Sequence, residues 1–305
     1  MKKLIFTLLS AIIMFTAGAQ TYNMEVSLKN GSKVTLAADS VVDVRFVKSE
    51  VEEFNILTEE FIPDETFRNY IKENIAYGAD TYTNLQAARY SGSISCKTLP
   101  IYSAKGIEYF TSLTELDLSE SNLTSLDISD LKELINLDVH YCYNLSSLDI
   151  SGLDKLESVD ISMTNLKKYP LSNFPNTIKT LDLSFLGYES FDASSFPSLE
   201  KITINDNSLT SLDLSQCALI QEVSATNNSL VSANFDNCEY LSYLALSYNS
   251  DLTQLSLTGC TALQSLFIHR SGLNGYDLAP FANTLKELNI SYLTGYTVED
   301  LAGFP

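Results

Sequence analysis

Three residue types in this 305-residue chain could carry chemistry, and their spacing is regular. Asp117, Asp138, Asp160 and Asp182 follow one another at steps of 21 or 22 residues. Five cysteines stand at Cys96, Cys142, Cys217, Cys238 and Cys260, the last three again 21 and 22 apart, and the two histidines are His140 and His269. Neighbouring carboxylates can do acid–base work if their surroundings separate their proton affinities, or they can hold a cation. Thiols can pair, ligate a metal or act as nucleophiles, and a histidine can complete a triad if an acid and a nucleophile lie within reach. Which of these is open depends on what the period builds.

The period is structural. LTELDLS at Leu113 recurs as LINLDVH at Leu134, LESVDIS at Leu156, IKTLDLS at Ile178, LEKITIN at Leu199, IQEVSAT at Ile220, LSYLALS at Leu241, LQSLFIH at Leu263 and LKELNIS at Leu285. The fourth position of each segment sets the register: Leu116, Leu137, Val159, Leu181, Ile202, Val223, Leu244, Leu266 and Leu288. A step of 22 back from Leu116 reaches Ile94, so about ten rungs are expected, with Cys96 inward on the first. A second apolar segment alternates with the first, centred on Leu126, Leu148, Tyr169, Phe191, Leu212, Ala233, Leu255 and Tyr276. It is followed by a third apolar column through Leu131, Leu153, Phe174, Phe196, Cys217, Cys238, Cys260 and Phe281. One such unit cannot bury its own apolar face, whereas a stack buries a continuous core.

The segments resemble the leucine-rich repeat family, whose L-x-x-L-x-L-x-x-N/C-x-L unit supplies one short strand per rung. The ninth position reads Ser121, Cys142, Thr164, Leu186, Asn207, Asn228, Asn249, Ser271 and Leu293, and the departures at Leu186 and Leu293 predict altered turns there. The resemblance implies a β-rich solenoid, a leucine-rich repeat horseshoe of about ten 21–22-residue rungs. It is similar to internalin-like and other exported bacterial repeat proteins, which implies a binding scaffold acting in adhesion or recognition. Related exported repeat proteins carry a more EF-hand-like cap than the NIAYGADTYTNLQ stretch of this chain, which departs from the D-x-[DN]-x-[DN]-G calcium loop.

In this register most of the chemistry dissolves. The cysteines fall in inward columns and at the turn position, which suits free buried thiols; a bridge between neighbouring rungs is the alternative. Five thiols cannot all pair, and no CxxC occurs. His140 and His269 both take position seven, on the outward face and six rungs apart, so they share neither a metal nor a catalytic pair. Asp117, Asp138, Asp160 and Asp182 take position five on four consecutive rungs, at a strand spacing of roughly 4.8 Å. Such a ladder is either solvated or neutralised by a cation or basic partner, and an open face offers no pocket to raise one carboxyl's pKa. No nucleophile elbow, zinc helix or phosphate loop is present, so the expectation is no enzyme, no catalytic residue, no metal and no cofactor.

The termini and charge bound the partners. Lys2 and Lys3, the apolar run Leu4 to Phe15 and Ala17-Gly18-Ala19 form a leader pattern with cleavage after residue 19. Loss of the two lysines takes the formal charge from −19 to −21, which repels nucleic acid and anionic membranes. No cysteine precedes Cys96, so a lipid anchor is not expected; the chain reads as exported, to periplasm, surface or medium, with no membrane insertion after cleavage. Asn30-Gly31 between Met24–Lys29 and Lys33–Ala37 predicts a hairpin, with a further strand at Val41–Phe46. Phe67, Tyr70, Ile71 and Ile75 in FIPDETFRNYIKENI predict an amphipathic cap helix over Phe61–Ile75. The expected divisions are a leader at 1–19, a β-hairpin element at 20–57, a helical cap at 58–90 and repeats over 91–305.

The outward positions locate a binding surface. From the eighth rung they carry Tyr243, Tyr248, Phe267, His269, Arg270 and Tyr292, with Phe267 where the early rungs have aspartate. Aromatics with an arginine are the composition of interface hot spots, so a protein partner is expected there. The acidic ladder is the secondary candidate, and a glycan bound on tyrosines and acids is the alternative ligand.

Overall fold

The computed structural model describes strand backbone at residues 13–18, 21–27 and 33–37, and the chain at residues 52–297 together with Phe304. Two compact units result, residues 1–53 and 54–305. In the first, strands β1 (Ile13–Gly18), β2 (Thr21–Ser27) and β3 (Lys33–Ala37) form an antiparallel sheet in that order. Ser27 pairs with Lys33, which leaves Asn30-Gly31 between the strands as the hairpin signal requires. The strand expected at Val41–Phe46 lies outside the described residues. The other neighbour of β2 is instead β1, from the segment that reads as a leader.

The second unit opens with a cap. Asp64, in extended conformation after Pro63, accepts a 3.0 Å hydrogen bond from the Phe67 N–H and starts helix α1 (Glu65–Tyr70). The helix therefore begins at Glu65 and not at Phe61, and it continues as one π turn over Ile71–Ile75. Phe67, Ile71 and Ile75 are buried, as their spacing implies. A second short helix, α2 (Asn84–Ala87), went unread in the sequence, although Thr83 and Gln86 form the reciprocal capping box that announces it. The cap is tied to the first rungs: Asp64 accepts from the Tyr102 N–H at 2.7 Å, and the Tyr70 hydroxyl accepts from Ser95 N–H at 3.1 Å, covering the sheet edge.

Ten three-residue strands then stack in parallel: β4 (Ser93–Ser95), β5 (Glu115–Asp117), β7 (Asn136–Asp138), β9 (Ser158–Asp160), β10 (Thr180–Asp182), β11 (Lys201–Thr203), β13 (Glu222–Ser224), β15 (Tyr243–Ala245), β17 (Ser265–Phe267) and β18 (Glu287–Asn289). Ile94, Leu116, Leu137, Val159, Leu181, Ile202, Val223, Leu244, Leu266 and Leu288 are successive register partners, so the fourth-position column is one continuous row of the core. Opposite it the second segment forms strands in only five places: β6 (Ser125–Asp127) beside β8 (Ser147–Asp149), and β12 (Ser211–Asp213), β14 (Ser232–Asn234) and β16 (Gln254–Ser256). The second segment forms no strand around Tyr169, Phe191 and Tyr276, where short 3-10 turns follow at Leu171–Asn173, Ala193–Ser195 and Ala279–Phe281. Pro170 caps the first of these turns and Pro280 lies within the last, while Asp192 accepts from Ser194 N–H to start the middle one.

Every rung leaves the long sheet by the same turn. Thr98, Glu120, Tyr141, Met163, Phe185, Asp206, Asn227, Tyr248, Arg270 and Tyr292 all take left-handed backbone, with φ between 54° and 67°. This conformation costs a residue with a side chain about 1–2 kcal/mol. It is offset by hydrogen bonds between rungs, such as Glu120 N–H to His140 O at 2.9 Å and Tyr248 N–H to His269 O at 3.0 Å. The turn survives at Phe185 and Tyr292, next to the leucines that depart from the repeat; the alteration comes later, at Gly187 and Gly295, which are themselves left-handed.

Candidate functional site

The aspartates of position five first serve the fold. Asp117 Oδ1 accepts from the Ser119 N–H at 3.0 Å and the Ser119 hydroxyl at 2.6 Å, and Asp160 treats Ser162 the same way at 2.9 and 2.6 Å. Asp182 accepts from Ser184 N–H and Asp138 from His140 N–H. The second segment repeats this at Asp127, Asp149 and Asp213. D-x-S is thus a side-chain-closed turn, and its presence in both segments, one of them far from any binding face, was the sequence signal for that role.

The ladder also lines a groove of roughly 500 Å³ that runs along the outward face of the long sheet from Ser93 to Thr203. The expectation that this face has no pocket to raise a carboxyl's pKa is corrected here. Burial, then repulsion from Asp160, pushes the Asp182 carboxyl up to about 6, against the hydrogen bonds from Ser184 and the neighbouring His140. Burial raises Asp160 too, with Asp138 adding to it. Asp117 goes the other way: despite desolvation, hydrogen bonds from Ser119 and Ser95 hold it below its ordinary value. The groove therefore does what an open ladder cannot, removing water from carboxylates on neighbouring rungs.

His140 is likewise not a plain surface residue. Its side chain is 17% exposed, and Nδ1 lies 2.6 Å from Asp138 Oδ1. Asp138, His140 and Asp160 offer ligand atoms all within 4.8 Å of one another, the one such group among the described residues, and could share a cation. His269, six rungs on, stands apart from them with Nδ1 2.7 Å from the Ser247 hydroxyl.

The six aromatic and cationic candidates fall into two contact groups, Tyr243 with Phe267 and Tyr248 with His269, Arg270 and Tyr292. Tyr243 and Phe267 pack with ring centroids 5.5 Å apart, so Phe267 is half-buried and not the freely exposed phenylalanine that its position suggested. His269 meets Tyr248 edge-on at 5.0 Å. The Arg270 guanidinium lies over the Tyr292 ring at 4.3 Å and over the Tyr248 ring at 5.3 Å, a stack of three position-eight side chains from consecutive rungs. Asn227, Ser250 and Ser271 complete the shallow pocket around this stack; they had no compositional signal and are placed only by the turn that follows each strand.

The sequence model of the leucine-rich repeat domain of the endo-beta-N-acetylglucosaminidase EndoS matches residues 62–174. Among solved structures, the functional domain of InlJ from Listeria monocytogenes, which includes a cysteine ladder, is 18% identical with a TM-score of 0.52, covering 83% of this chain and 74% of that one. The fold is that of a leucine-rich repeat solenoid. Two further Listeria monocytogenes structures, an internalin (inlF) and internalin C2, are 18% and 16% identical, with TM-scores of 0.45 and 0.49. They cover 82% and 80% of this chain and 95% and 99% of their own lengths. The fold assignment rests on InlJ and on the repeat itself. No curated protein matches the sequence.

The leucine-rich repeat explains the remaining polar columns. Asn207, Asn228 and Asn249 each donate to a carbonyl of the preceding rung, Leu183, Ile204 and Ala225, at 2.9–3.0 Å, and accept from a backbone N–H of that rung's following turn. Cys142 stands in the same column and its thiol donates to Leu118 O at 3.2 Å. Cys217, Cys238 and Cys260 make the equivalent reach on the opposite side, Cys238 to Leu214 O at 3.4 Å and Cys260 to Phe235 O at 3.1 Å. All five cysteines are free and buried.

Proposed function

We propose that this protein is an exported, non-enzymatic scaffold that captures a protein partner on its C-terminal concave half, in adhesion or recognition. One observation carries the reading: Tyr248, Arg270 and Tyr292 form an exposed stack across three consecutive rungs, and the same three rungs carry the Tyr243–Phe267 pair on their outward face. Aromatics and arginine held by stacking lose little freedom on binding, which is what makes such residues dominate interfaces. Export is supported by the Lys2–Ala19 leader pattern, and among the described residues no helix is long and apolar enough to cross a membrane. The internalin-type neighbours support a surface or secreted setting.

A pull-down from membrane and secreted fractions, run beside a glycan array, tests this with two double variants. Phe267→Ala with Tyr248→Ala is expected to fold and lose the partner, while Asp138→Asn with Asp160→Asn keeps it. Retention by the aromatic variant together with loss by the aspartate variant moves the site to the acidic groove; binding on the array alone assigns the surface to glycan.

A further inference from the structure

Arg270 is the sole arginine after Arg89. Five lysines of the repeats face an acid, Lys97, Lys155, Lys168, Lys179 and Lys201 pairing with Glu120, Glu133, Glu189, Glu157 and Glu222, and four others reach carbonyl or amide oxygens. Arg270 has no carboxylate within ion-pair range among the described residues, although the chain carries 38 acidic residues against 19 basic ones. Its guanidinium lies over two tyrosine rings and hydrogen-bonds Tyr292, and its remaining coplanar N–H groups are what a ligand can use. Ser250, Ser271, Tyr248 and Tyr292 line the same shallow pocket.

We infer that this pocket is a carboxylate-binding site, and that the partner presents an aspartate or glutamate side chain to the Arg270 fork with an apolar neighbour against Tyr243 and Phe267. The inference rests on the reading of this face as the binding surface and adds the chemistry of the ligand. A planar guanidinium fits a carboxylate through two parallel hydrogen bonds, and the tyrosine stack fixes its plane before binding. In the field of a net charge of −19 a monoanion is repelled less than a phosphate dianion. A polypeptide is the source because the Tyr243–Phe267 pair, on the strands that lead into the same turns, offers apolar area that a free acid leaves uncovered.

The test is a titration of isotope-labelled full-length protein with acetyl-Phe-Glu-amide, acetyl-Phe-Gln-amide, glucuronate and inorganic phosphate, followed by nuclear magnetic resonance at the Arg270 Nε–H and the Tyr248 and Tyr292 rings. The glutamate peptide is expected to move these signals saturably, at least tenfold more tightly than its glutamine counterpart, and to weaken in 0.5 M salt as an exposed ion pair does. Arg270→Gln should lose the binding, and Arg270→Lys, which keeps the charge without the fork, should weaken it at least threefold. Equal binding of both peptides, full binding by either variant, or binding of glucuronate or phosphate in place of the glutamate peptide overturns the inference. If the aromatic double variant loses a protein partner while no probe binds, the surface stands and the carboxylate chemistry falls.

Discussion

Asp182 and Asp160 are register partners on adjacent strands, and the proximity of the two half-buried carboxylates helps keep a proton on Asp182 at pH values where an ordinary aspartate has lost it. Folded Asp182 binds its proton more tightly than the unfolded side chain does. The stability it contributes is therefore full below about pH 4 and is lost as pH rises through about 6. Asp182→Asn keeps the turn, since Asn289 closes the same turn by accepting from Ser291 N–H. The variant should match the wild type near pH 3.5 and exceed it by about 2 kcal/mol at pH 7, measured by urea unfolding across that range. A difference independent of pH would show that the carboxyl titrates normally.

The thiols should be silent in the native protein. Burial raises all five, with Cys217 and Cys260 at about 11 and Cys238 at about 12, so little thiolate exists at neutral pH. Labelling with a thiol reagent should be negligible before denaturation and reach five equivalents after it without reductant. Three equivalents after denaturation would reveal a bridge between rungs.

Phe196 is fully buried, stacked on Phe191 at 5.3 Å and tilted against Phe174 at 6.1 Å. Phe196→Ala should destabilise the array by ~3–5 kcal/mol through the cavity it leaves. Because each rung depends on its neighbours, the loss should appear in hydrogen exchange on both flanking rungs. A cost below about 1 kcal/mol would mean that the column tolerates collapse.

Asn249 is completely buried and donates to the carbonyls of Ala225 and Leu246. Asn249→Ala should cost about 2–3 kcal/mol by orphaning them. Asn249→Cys should recover part of that loss, because Cys142 already makes the equivalent reach to Leu118 O. Chemical unfolding of the two variants side by side measures the difference, and equal losses would deny the thiol a donor role.

The sequence by itself determined the stack. An apolar column every 21 or 22 residues, from Ile94 to Leu288, admits one register, because a shift by one residue would turn Leu116 and its partners out of the core. It also determined the cap face of Phe67, Ile71 and Ile75 and the inward place of the cysteines. Tertiary structure decided what the surface residues do. Position eight carries no pattern of residue type, so only the left-handed turn common to all rungs shows that Tyr248, Arg270 and Tyr292 stack upon one another. The aspartates look alike in sequence, yet Asp117 is held below and Asp182 pushed above the ordinary carboxylate range, because their proton affinities depend on burial, on the neighbouring rung and on the groove between them. These are distances across rungs, and a one-dimensional pattern fixes which rungs are neighbours without fixing how much water remains between their side chains.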